Sequence, residues 1–468
     1  MTDKQPTPPL GIRIEHDTMG DVEVPVDAMW GASTQRAINN FPFGGGPIPE
    51  RLIHALGLVK ASAARANVDV QVLDQGNGEA IALVADEVAA GLYDEQFRVD
   101  VYQTGSGTSS NTNANEVIAH LATERLGQLV HPNDHVNASQ SSNDVFPTAI
   151  HVATSRALVD ALIPALTELR LALNAKAEEF SDVVKSGRTH LMDAAPVTLG
   201  AEFGGYAGQV TLGVERLESS LPRLMELPLG GTAVGTGLNA PAGFADGVVE
   251  RLAQQTGLPF RRARYQFEAQ SARDALVETS GQLRVVALSL LKICNDLRWM
   301  GSGPHAGLGE IQLPALQPGS SIMPGKVNPV VPEAVIQICA RVVGNDSAVA
   351  LGATTSAFEL NTAMPLIAQC VLESVGLLTN AATVLARRTI TGLVANVEEL
   401  RRAAAASPSI ATSLNLLVGY DAASRVVKDA LRQGVSIREA AQSLVDDGLL
   451  STEQLDHALD IDRLASGG

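Results

Sequence analysis

Residues 318–331 read PGSSIMPGKVNPVV and place two serines, a lysine and an asparagine between Ser320 and Asn328. Three prolines and two glycines bar both regular helix and regular strand. Hydroxyls, a cation and an amide on irregular backbone can take up a proton and hold an anion. The segment lies between two long helical patterns, so it reads as a loop presenting Ser320, Ser321, Lys326 and Asn328. A phosphate-binding P-loop is the nearest generic alternative, and it fails on two counts. Five residues rather than four separate Gly319 from Gly325, and Val327 rather than a hydroxyl residue follows Lys326. Pro332-Glu333 opens the next helix, with an acid in its first turn.

Other polar stretches precede helical patterns. Residues 103–116, QTGSGTSSNTNANE, stand directly before VIAHLATERLG. Small residues let backbone approach a ligand and a helix start offers free N–H groups to an anion, but a Ser/Thr-rich cap explains the stretch equally well. It is not a dinucleotide fingerprint, because Ser110 occupies the third glycine position. Residues 131–144, HPNDHVNASQSSND, gather Ser141, Ser142 and Asn143 at the start of a long helix, with Asp144 expected as a plain N-cap. His131 and His135 are four apart, yet Pro132 opposes helix there and no glutamate completes HExxH, so no metal site is expected. In SGRTHLMD, 186–193, His190 follows Thr189, and Arg188 reads as an ion-pair partner rather than a substrate clamp. The glycine-rich GGTAVGTGLNAP at 230–241 reads as turns packed without ligand contact.

The elements that must position these groups change character along the chain. Up to about residue 143 short extended pieces such as IRIEHDTMGDVEVP alternate with turns and moderate helices. From Phe146 apolar residues recur at three and four for nearly forty residues, and similar patterns follow at 201–225, 270–300 and 333–390. After about Asn396 the patterns shorten. A mainly α fold with a long central helical bundle follows, divided as 1–143, 144–396 and 397–468, without internal repeats.

Composition narrows the function further. The chain has 34 Lys and Arg against 51 Asp and Glu, a net charge of −17, which argues against a nucleic-acid surface. An anionic ligand must therefore find a local positive site. Cys294, Cys339 and Cys370 lie within apolar helical patterns at wide spacing and read as reduced core residues. No uninterrupted run of 18 apolar residues appears; the most apolar segment, VVALSLLKICNDL, is broken by Lys292 and Asn295. MTDKQPTPPLG lacks a basic start and an apolar core, so no signal peptide and a cytoplasmic protein are expected.

GSSIMPGKVNP resembles the signature of the fumarase/aspartase superfamily. RIEHDTMGDVEVP, WGASTQRAINNF, QTGSGTSSN, HPNDHVNASQSSNDVFPTAIH, SGRTHLMDAAPVTLG, GGTAVGTGLNAP and SPSIATSLNLLVGYDAAS resemble class II fumarase segments in their expected order, over nearly the whole chain. Three features are similar to fumarases rather than aspartases: His190 after Thr189 where aspartases carry glutamine, Ser142 in place of threonine, and Gly325 in place of alanine. PVVPE after Asn328 departs the other way. The resemblance implies the three-domain fold of that superfamily and reversible hydration of fumarate to L-malate; no metal or organic cofactor is expected, since the sequence offers neither a ligand cluster nor a nucleotide loop. It implies Ser320 as base, with Lys326 and Asn328 on the carboxylate where charge builds. Ser106, Gly107, Thr108, Ser141, Ser142, Asn143, Thr189, Ser321 and Val327 would surround the rest of the substrate. His190, polarised by Glu333, would activate water. His131, Pro132, Asn133 and Asp134 are similar to a peripheral anion site, and the implied assembly is a homotetramer, with no nucleic acid and no membrane as partner. The alternatives are an aspartate ammonia-lyase and a catalytically silent paralogue on the same fold.

Overall fold

The structure, a computed structural model, describes residues 11–467. The first ten residues, on which the expectation about a signal peptide rests, lie outside the described residues. The chain is mainly α, as expected. Its strands form two-stranded ribbons, including Ile12–Asp17 with Gly20–Pro25 and Val184–Thr189 with Met192–Thr198.

Two compact units can be distinguished, and the dividing points fall inside long helices. The first comprises Met1–Pro164, Glu215–Ala287 and Ala340–Thr379. Its core is built on Glu50–Asp69, whose Leu52, Ile53, Leu56 and Val59 are fully or almost fully buried. Gln75–Ala89, Ser142–Ala157 and Phe244–Thr256 pack against that helix. The second comprises Ala165–Val214, Leu288–Cys339 and Asn380–Gly468. Within it Ile410, Leu414, Val426, Leu444 and Leu455 of the short C-terminal helices share a core with Val184 of the ribbon.

The long periodic patterns are helices at Ser142–Glu179 (through a π-helical turn), Leu199–Leu224, Asp274–Met300, Val330–Ala353 and Met364–Leu385. The pattern read as continuous over 333–390 is interrupted. Helix stops at Ala353, and a small ribbon, Ser356–Ala357 with Leu360–Asn361, intervenes. Asn361 makes the break: its Nδ2 donates to Gly352 O at 2.9 Å, which caps the helix end.

Three helices, Ser142–Glu179, Val330–Ala353 and Met364–Ile390, are long and apolar enough to cross a membrane, with a mean hydropathy of 1.3. A search for unbroken apolar runs misses them because each is punctuated by polar side chains. Those side chains have partners in the protein: Asp144 and His151 in the first, Asn345 and Asp346 in the second, Ser374 in the third. All three cysteines are free and buried, as expected.

Candidate active site

In the first unit two of the expected stretches meet. The polar run after Gln103 is not a loop before a helix, because the helix itself begins at Thr108 and runs to Leu126. Ser109, Ser110, Asn111, Asn113 and Asn115 are buried helical residues. Apolar periodicity could not register them. What holds them is polar: Ser110 bonds Gln103, and Asn111 donates to Asn137. Gly107, at φ +74, precedes the helix, and a Cβ there would lie 2.3 Å from the Phe146 ring. Only glycine fits that approach.

The second stretch enters through a capping box. Ser141, not Asp144, is the N-cap of Ser142–Ala157, and Asp144 is its reciprocal partner three residues on. Asp144 is fully buried and its carboxylate accepts N–H bonds from Ser141, Gly230 and Thr232 at 3.0, 3.0 and 2.9 Å. Burial raises its pKa, and these donors and Lys60 oppose the rise. Lys60, also fully buried, donates to Asn137 and Gln140, both at 3.0 Å; burial pulls its pKa down to about 7. The glycine-rich 230–241 segment thus underpins the helix start, and Asn143 Nδ2 donates to Ala233 O at 2.9 Å.

On this base the hydroxyls line up. Ser106 Oγ and Thr108 Oγ1 are 2.8 Å apart, and Thr108 Oγ1 and Ser142 Oγ are again 2.8 Å apart. A chain of three hydroxyls beside an amide offers donors and acceptors that can reorient toward a carboxylate. Asn133 and Asp134 lie on a one-turn π-helix, Pro132–Val136, of which His131 is the N-cap. His131 Nδ1 accepts Asp134 N–H and His135 Nδ1 accepts His131 N–H, so both ring atoms are committed to backbone. Among the described residues no cluster of His, Cys, Asp and Glu could hold a metal ion.

The second unit carries the other candidates. The loop around Ser320 is closed by Gly319 N–H donating to Lys326 O at 2.8 Å and Asn328 Nδ2 donating to Gly319 O at 2.8 Å. Ser320 Oγ accepts two main-chain N–H bonds, from Ile322 at 3.2 Å and Met323 at 3.0 Å. Donors aimed at an oxygen favour its anionic form. Ser321, Lys326 and Val327 are exposed, and Lys326 makes no ion pair among the described residues. Lys326, Val327, Asn328 and Glu333 line an open cleft of about 1020 Å³ with Arg298 and Trp299.

Thr189 and His190 stand at the tip of the ribbon Val184–Thr198, both exposed. His190 and Leu191, at φ 55° and 61°, form the whole of a two-residue turn. His190 lines a separate cleft of about 760 Å³ with Arg188, Glu202, Tyr206 and Lys292. Within one chain no hydrogen bond joins His190 to Glu333 among the described residues. Arg188 is an ion-pair partner, as expected: its Nη2 lies 2.8 Å from Glu310 Oε1. Sequence reasoning missed Glu310, Lys185, Lys60 and the depth of Asp144. The S-S-N-D spacing held a clue for Asp144; nothing local marks the others.

Comparison with known proteins identifies the family. The family described as "Lyase" matches residues 20–344, and the one described as "Fumarase C C-terminus" matches residues 410–466. The class II fumarate hydratase of Mycobacterium tuberculosis is 58% identical over 96% of this chain and 95% of that protein. That of Corynebacterium efficiens is 55% identical over 97% and 96%. The crystal structure of a class II fumarase from Schistosoma mansoni superposes with a TM-score of 0.94 at 35% identity, covering 97% of this chain and 99% of that one. With its signature loop, paired serines and Thr189-His190 in place, the chain belongs to the class II fumarase family of lyases.

Proposed function

We propose that the protein catalyses the reversible hydration of fumarate to L-malate and that Ser320 is the base. The observation that carries the assignment of the base is the pair of main-chain N–H groups on Ser320 Oγ. Malate C3 is a weak acid, and its deprotonation spreads charge into the neighbouring carboxylate as an aci-dianion. A base for it needs an oxygen whose anion is stabilised, and the carboxylate needs preorganised donors. Ser320 supplies the first; Lys326 and Asn328, on the same loop, supply the second. Ser106, Thr108, Ser141, Ser142 and Asn143 hold the distal part of the diacid, with Thr189, Ser321, Val327 and Gly107 completing the walls. His190 activates the water that adds in hydration, or protonates the departing hydroxyl in the reverse direction. The turn at His131–Asp134 would serve as a second, peripheral anion site.

Several chains must share this work. We read Glu333 as polarising His190 from another copy, since within one chain no hydrogen bond joins them among the described residues and they line separately delimited clefts. The long helices also leave apolar residues exposed: Leu171, Leu212, Leu288, Leu351 and Val384. A homotetramer, with its helices packed together in the cytoplasm, covers such faces. Incubation with L-malate should release fumarate, read by its ultraviolet absorbance, and incubation with L-aspartate should not; faster release from aspartate would overturn the assignment. Mixing inactive Ser320→Ala and His190→Asn proteins through dissociation and reassembly should restore activity. No recovery in proven mixed tetramers would mean that one chain supplies both groups.

A further inference from the structure

We propose that Glu310 is a positioning residue for His190, acting through Lys185 and Arg188. This rests on the reading of His190 as catalytic. In a regular strand residues 185 and 188 face opposite sides of the ribbon. Here the pairing register shifts between Ser186 and Arg188: two residues of the opposite strand, Ala194 and Ala195, face the single Gly187, so the bulge lies on Met192–Thr198. A Cβ at 187 would lie 2.7 Å from Ala195 O, so the bulge requires glycine. Across this irregularity Lys185 and Arg188 nevertheless meet one carboxylate. Lys185 Nζ lies 2.9 Å from Glu310 Oε2, and Arg188 Nη2 lies 2.8 Å from Oε1. Lys185 is also 2.7 Å from Glu202 Oε2.

This network is buried: the Lys185 and Glu310 side chains are 1% and 4% exposed. Glu310 is itself fixed by its main chain, whose N–H donates to Met300 O and whose carbonyl accepts from Asn396. Breaking a buried pair leaves an uncompensated charge, so the clamp resists rearrangement.

The clamp is needed because the turn it supports is not self-sustaining. Two-residue hairpin turns with positive φ at both positions favour Asn-Gly. His190 and Leu191 adopt that conformation although side chains with a Cβ disfavour it. Among the described residues the side chains of Thr189, His190, Leu191 and Met192 make no hydrogen bond, so the tip is held only by the Thr189–Met192 backbone pair. Surrounding structure must over-determine such backbone. Two residues before His190, Arg188 is the last side chain of the first strand that is tied down.

The test is a double-mutant cycle on the assembled enzyme. Glu310→Gln should lower kcat on L-malate by about 10- to 100-fold with KM nearly unchanged, since small misplacements of a reacting group cost up to about that much. In the His190→Asn background the same change should cost less than about twofold, because the group it positions is already gone. An equal loss in both backgrounds overturns the proposal and leaves Glu310 a support of the fold. If Glu310→Gln does not assemble, Arg188→Lys, which keeps the charge but shortens the reach to Glu310, is carried through the same cycle with the same two outcomes. Wild-type turnover by His190→Asn alone would bring down the reading of His190 and this one with it.

Discussion

The hydroxyl cluster of the first unit and the Ser320 loop of the second both present small polar groups to an anion, and they are built in opposite ways. Ser106, Thr108 and Ser142 sit on helix starts, linked to one another and supported by buried Asp144 and Lys60. Their positions are fixed before any ligand arrives. The Ser320 loop is held by a handful of main-chain bonds, and its apolar tip is bare: Ile322 is 83% exposed. On the proposed function, one region is a template and the other a cover. A template gains from rigidity because preorganised donors need no rearrangement when charge appears. A cover must open for a diacid to enter, so it cannot be tied as firmly.

The largest effect that would sharpen this contrast comes from the loop. Ser320→Ala should cost at least about 10⁴ in kcat, the upper end for a general base, with substrate binding largely retained. The carbanion analogue 3-nitropropionate should still bind this variant and bind Lys326→Ala poorly. Near-normal turnover of L-malate by Ser320→Ala would reduce the serine to a loop hydrogen-bonder.

Acid should expose the cost of the rigid region next. His151, buried in the helix that begins with Ser142, donates its Nδ1–H to Leu224 O at 2.8 Å, and burial pulls its pKa down to about 4 from 6.5. Between those values the unfolded chain binds a proton that the folded chain refuses, so stability falls as pH drops from about 6.5 to about 4. The full loss is about 3 kcal/mol at 1.36 per unit. His151→Gln should flatten this part of the stability curve measured by denaturant melts; an unchanged slope would place the acid sensitivity elsewhere.

A smaller change probes the template directly. Thr108→Val keeps shape and cuts the hydroxyl chain between Ser106 and Ser142. A lost hydrogen bond of about 1–1.5 kcal/mol should raise KM by roughly tenfold and leave kcat less affected. A fall confined to kcat would mean that these hydroxyls take part in the chemical step rather than in holding the diacid. The smallest effect belongs to the cover. Ile322→Ser should change the melting free energy of the protein by no more than about 0.5 kcal/mol, as for other exposed positions. A larger loss would show the loop tip to be packed, and the contrast between the two regions would weaken.

What the chain discloses to a reader of its sequence follows the same division. Helices that bury apolar stripes announce themselves at three and four, and so do Pro-Gly loops such as 318–331. Only the first turns of Thr108–Leu126 hide, because the buried residues there are mostly Ser and Asn, held by partners such as Gln103 and Asn137 that only the folded chain supplies. The break near Ala353 hides because Asn361 acts on a carbonyl nine residues away without interrupting the apolar pattern. Glu310 hides most completely. Its partner Lys185 is 125 residues distant, and no local spacing encodes that meeting. Lys60 reads as one more charged residue on an amphipathic helix until its burial is seen.

The left-handed pair His190-Leu191 makes the ribbon tip a poor guide for anyone breeding a hardier protein. A stability screen, or a redesign scored on local backbone preference, would favour Asn-Gly there and gain stability, since side chains with a Cβ disfavour this backbone. The gain would be real in a melting curve, and it would delete the imidazole. Selection for heat tolerance and selection for turnover therefore pull on this one turn in opposite directions. A library diversified at 190 and 191 should separate into robust, inactive clones and active, less robust ones.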